Sequence, residues 1–147
     1  MKNEVGLGRS RKASGLVIAV ALVVGGCYFL PARIAYFDIT TYKNLTEVKP
    51  EILFLYDTVT SDEIDQASIN EIKLRLAQIY EYEKGKGEEN TETARQVEII
   101  ANMFSRHIED RLGEGPWTLE HRENQKGLIA EALDIAIATE TMKNRRR

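Results

Sequence analysis

The side chains best suited to metal ligation or thiol–imidazole chemistry are few in this chain: His107, His121 and the single Cys27. Di-metal helical bundles place a Glu three residues before each ligating His. Here those positions hold Phe104 and Thr118, and no H-E-x-x-H pair exists. No G-x-S-x-G elbow, Walker loop or dinucleotide-binding glycine pattern occurs either. Carboxylates are plentiful, with 23 Asp and Glu in 147 residues, so pairs of them arise from composition alone. The expectation is therefore no catalytic residue, no cofactor and no metal site. His107 should join Asp110 and Arg111 in an ion cluster on the surface of a helix.

Two groups of residues could instead serve binding. Trp117, in Glu114-Gly115-Pro116-Trp117-Thr118, is the only Trp. It is expected to pack over helix ends and close the core; if exposed, it would anchor a partner with His121 and Arg122 beside it. Tyr80 and Tyr82 are weaker choices of the same kind. The chain ends on Lys143-Asn144-Arg145-Arg146-Arg147. Arg145, Arg146 and Arg147 can act as favourable charge after a helix C-terminus, or dock to anionic lipid, polysaccharide or an acidic partner.

The charge balance decides between classes of partner. The net charge of −3 averages unlike pieces. Residues 46–142 carry 21 acidic and 10 basic side chains, which argues against nucleic acid as a ligand. Residues 1–12 are basic through Lys2, Arg9, Arg11 and Lys12, and residues 143–147 add four cations.

Residues 13–30 read ASGLVIAVALVVGGCYFL, 18 residues without a charge. As a helix this would span about 27 Å, close to a hydrocarbon core of ~30 Å. A core helix would keep a polar stripe, and this stretch has none. It is expected to be an uncleaved signal anchor, held N-terminus inward by the basic residues before it, or a signal peptide. Val24-Gly25-Gly26-Cys27 resembles the lipobox of bacterial lipoproteins, which implies lipidation at Cys27. Either mode attaches the chain to a bilayer and leaves the rest outside the cytoplasm.

The remaining elements read as all-α. Residues 31–45 lack helical periodicity and are expected to form a juxtamembrane strap. Pro50 suits a first helical position, giving a short apolar helix over 51–59. Thr60 with Glu63, and Ser68 with Glu71, match capping boxes ahead of a helix whose stripe is Ile69, Ile72, Leu76 and Ile79. Lys84-Gly85-Lys86-Gly87 should end it. A third helix is expected over 91–112 on Val97, Ile100, Phe104, Ile108 and Leu112, stopped by Gly113, Gly115 and Pro116. Thr118 should cap a last helix to about Lys143, with Leu128 or Ile129, Ala132, Leu133, Ala136 and Ile137 inward. Gly127 within it suggests a close helix contact.

The sequence thus predicts an N-terminal anchor followed by a three- to four-helix bundle over 46–142. The function expected is a structural or protein-interaction module of the cell envelope, with a protein partner or self-association. The alternatives are a small envelope hydrolase using carboxylates, or a component of a secretion or phage lysis system.

Overall fold

The computed structural model describes residues 35–143. The basic start, the apolar stretch with Cys27, the opening of the strap and Arg145, Arg146 and Arg147 lie outside the described residues. All described helices belong to the second of two compact units, Pro31–Arg147.

Among the described residues the structure is a helical bundle of four helices without strands: α1 (Ile39–Thr58), α2 (Gln66–Gly85), α3 (Thr91–Glu114) and α4 (Leu119–Met142). A single 3₁₀ turn, Glu88–Asn90, leads into α3. Short connections force successive helices to run antiparallel, and α4 closes against α1, so each helix packs on two neighbours. The shared core takes Leu45, Val48, Ile52 and Leu55 from α1, and Ile69, Ile72, Leu76 and Ile79 from α2. Val97, Ile100, Phe104 and Ile108 come from α3, and Ile129, Leu133 and Ala136 from α4. Burial of each large aliphatic or aromatic side chain contributes roughly 1.5–3 kcal/mol before conformational entropy is counted.

The first helix is longer than its sequence suggests. It begins at Ile39, within the expected strap, and carries Pro50 in its interior. The Asp38 side chain caps it, accepting from Thr40 N at 2.8 Å. Its inward stripe runs Thr41, Leu45, Val48, Ile52, Leu55. That stripe opens on a buried threonine, which hides the periodicity. Pro50 cannot donate to the Thr46 carbonyl, and tertiary packing on α2 and α4 carries the helix through that gap.

Neither predicted capping box starts α2. Asp65 does, accepting from Ala67 N at 2.9 Å, Ser68 N at 3.2 Å and Ser68 Oγ at 2.7 Å. Gly87, at φ 87°, and Gly115, at φ 90°, supply the left-handed turns before and after α3. Gly113 stays helical. Thr118 caps α4 as predicted, its hydroxyl accepting from His121 N at 3.2 Å. Of the predicted stripe residues, Leu112 and Leu128 face outward, at 52% and 51% exposed. A Cβ placed on Gly127 would meet no atom within 4 Å, so no helix approaches there.

Candidate functional site

The antiparallel arrangement gathers the start of α1, the end of α2 and the end of α4 at one pole of the bundle. Helix dipoles favour carboxylates at the first of these and cations at the other two; Asp38, Lys86 and Lys143 follow that rule, whereas Glu83 and Glu140, in the last turns of α2 and α4, stand against it and depend on their partners. Asp38 N donates to Glu140 Oε1 at 2.6 Å, joining residues 102 apart in sequence. Lys143 Nζ donates to Glu140 Oε2 at 2.6 Å and to Asn90 Oδ1 at 2.7 Å. Asn90 in turn donates through Nδ2 to Glu83 Oε2. Thr41 Oγ1 donates to Glu83 Oε1 at 2.6 Å, and Lys86 Nζ lies 3.0 Å from Glu83 and 2.7 Å from Asp38. Tyr82 adds its hydroxyl to Asp38 Oδ2 at 2.7 Å. Ala35 N also bonds to the Glu89 carbonyl at 3.2 Å, tying the incoming chain to the same pole.

Glu83 and Glu140 are fully buried, and Lys143 is 8% exposed. Charges this deep persist only when paired and hydrogen-bonded. All four oxygens of the two glutamates accept at least one bond from a named donor. Desolvation pushes the Asp38 carboxyl up, but the bonds from Lys86, Tyr82 and Thr40 outweigh it and hold the group well below the ordinary carboxylate range. Desolvation likewise lowers Lys86, and its bonds to Asp38 and Glu83 reverse the sign and raise it. Chemically, the cluster is a polar clasp that fixes where the chain comes in and where α4 ends.

The opposite pole is aromatic. Tyr56 is fully buried, and its hydroxyl lies 2.6 Å from His107 Nδ1. Trp117 packs edge-on against Tyr56, His107 and His121, with ring centroids 6.0, 6.2 and 4.6 Å away. Burial raises the Tyr56 hydroxyl well above its ordinary range. Desolvation also lowers His107, with Arg106 and His121 adding to the effect and Asp110 opposing it. His107 is therefore no surface ion-pair member. Arg111 is not one either: it is 3% exposed and donates to the carbonyls of Val59, Ser61 and Asp62. It ties down the α1–α2 connection just beyond the C-terminus of α1, where a cation is also favoured by the helix dipole.

Trp117, at 6% exposed, closes the core, so the docking role that depended on its exposure does not apply. His121 and Arg122 are half-buried; the former packs on the Trp117 ring and the latter pairs with Glu123. The sequence-predicted trio is thus brought together at this pole. Cys27 and the three tail arginines fall outside the described residues. The polar clasp was not foreseen, although it leaves a signal. Glu83 continues the α2 stripe 69–72–76–79 and Glu140 continues the α4 stripe 129–133–136, each an acid where the period calls for an apolar residue.

Among the described residues, no group of three or more His, Cys, Asp or Glu is placed to hold a metal ion. No described helix is long and apolar enough to cross a membrane. No family model, curated protein or solved structure matches this chain.

Proposed function

We propose that this protein is a membrane-tethered interaction module of the cell envelope, with its acidic bundle outside the cytoplasm. The observation that carries the reading is the clasp. It holds the incoming chain at Asp38 and the outgoing chain at Lys143 on one pole. Upstream of that pole lies the uncharged stretch 13–30, preceded by Arg9, Arg11 and Lys12. By the positive-inside rule these cations keep the N-terminus in the cytoplasm. Downstream lie Arg145, Arg146 and Arg147. Anionic headgroups of a bilayer engaged by residues 13–30 would attract these arginines electrostatically.

Attachment takes one of two chemical forms, an intact transmembrane helix or a lipid on Cys27. Mass spectrometry of the mature chain separates them. An acyl mass on an N-terminal Cys27, lost in Cys27→Ser, identifies the lipoprotein; a chain retaining Met1 identifies the signal anchor. A mature chain that begins beyond Cys27 and pellets with no membrane would contradict both.

A further inference from the structure

Between α1 and α2, near the aromatic pole, lies a groove of about 270 Å³. Leu55 and Ile72 line it and are themselves nearly buried, at 2% and 3% exposed. Phe54 stands at its edge, 74% exposed, among the largest apolar surfaces the bundle leaves to solvent. Glu51, Asp65 and Glu71 line the same groove, and no Lys or Arg does. Arg75 reaches Glu51 from outside. Asp65 is held below its ordinary value by the bonds from Ser68 and Ala67, so its negative charge persists at any physiological pH. Asp62 and Glu63 follow on the α1–α2 connection.

We infer that this groove docks a basic segment of a partner protein, which inserts one apolar side chain beside Phe54 while its cations face Asp65 and Glu71. The inference rests on the interaction-module reading and names the partner's chemistry. Charge complementarity selects the class: an apolar floor rimmed by Asp65 and Glu71, with Glu51 paired to Arg75, rejects acidic peptides and favours Lys- or Arg-flanked hydrophobic ones.

The test uses the full chain in zwitterionic-lipid nanodiscs, with empty nanodiscs as the blank. The probe is a fluorescein-labelled 12-residue peptide bearing one Phe flanked by Lys and Arg. Its controls replace the cations by Glu, or the Phe by Ser. Binding of the basic peptide should weaken about tenfold in Phe54→Ala and severalfold in Glu71→Lys, and fall with added salt. Both side chains are exposed, so the variants keep the fold, and unchanged Trp117 emission verifies it. Equal binding by the parent chain and both variants, or equal binding of the acidic peptide, overturns the proposal. So does a crosslink from Phe54 to the tail of a second copy, which would assign the groove to self-assembly. Membrane attachment is read separately by fractionation, so failure of the groove and failure of the tether are distinguishable.

Discussion

The backbone N–H of Asp38 donates to Glu140 Oε1 at 2.6 Å, so the residue that starts the first helix is held by one near the end of the last. The same glutamate accepts from Lys143 through its other oxygen. One buried side chain thus fastens both ends of the folded chain, and its removal should be felt across the whole bundle.

Glu140→Ala strips the carboxylate from Lys143, which is 8% exposed and keeps only the neutral Asn90 Oδ1, and leaves the Asp38 N–H without an acceptor. Breaking one side of a buried ion pair costs about 3–5 kcal/mol. Urea unfolding followed by helical circular dichroism should show an unfolding free energy lowered by that amount, and a midpoint lowered in proportion. Glu140→Gln, which keeps an oxygen for Asp38, should lose less.

Arg111 performs the corresponding task at the other pole, bonding three carbonyls of the α1–α2 connection. Arg111→Met retains most of the apolar stem and removes every donor. Hydrogen bonds to a charged group contribute about 1.5–3 kcal/mol. The variant should lose a comparable amount of stability and become sensitive to limited proteolysis between residues 59 and 64, with α3 and α4 cut later.

Acid should act on the aromatic pole first. His107 is held below its ordinary value of 6.5 in the folded state, chiefly by desolvation. Between that folded value and 6.5 the unfolded chain binds more protons, so stability rises with pH and falls as pH drops through the window. Asp38 acts later. Its folded value is depressed, so its contribution is complete above the ordinary 3.8 and is lost only below it. Trp117 is the sole Trp and packs on both histidines, so its emission reports the first step directly. Stability measured from pH 7.5 to 5 should decline in the parent chain and flatten in His107→Gln.

Gly127 offers the opposite kind of change. It lies within α4, and a Cβ there meets nothing within 4 Å. Gly127→Ala should stabilise the bundle by about 0.5–1 kcal/mol, because the unfolded chain loses freedom and the helix gains propensity. A thermal melt shifted upward by a few degrees is the expected result.

Much of this architecture is legible in the sequence, and the exceptions share a cause. The helices α2, α3 and α4 announce themselves through apolar residues at steps of three and four, and Thr118 and Gly115 mark their limits correctly. The start of α1 is concealed because its stripe begins with Thr41, a buried polar residue whose hydroxyl donates to Glu83 and accepts from Lys86. Pro50 compounds the error, since a local rule for helix starts competes with tertiary packing that tolerates it mid-helix. The ion cluster expected around His107 fails for a related reason. Residues 107 and 111 sit on the inward face of α3, and Tyr56 and three backbone carbonyls satisfy them there. A polar residue in phase with an apolar stripe is the signature common to His107, Arg111, Glu83 and Glu140. Periodicity places such residues inside; only the fold supplies their partners.

We propose that the acidic bundle lies outside the cytoplasm and that residues 1–30 attach the chain to a membrane. Protease accessibility in cells expressing the full chain tests it most directly. The bundle should sediment with membranes after a high-salt wash and be cleaved when protease is added to spheroplasts that remain intact. A bundle recovered in the soluble fraction, or one protected until the spheroplasts are lysed, would contradict it.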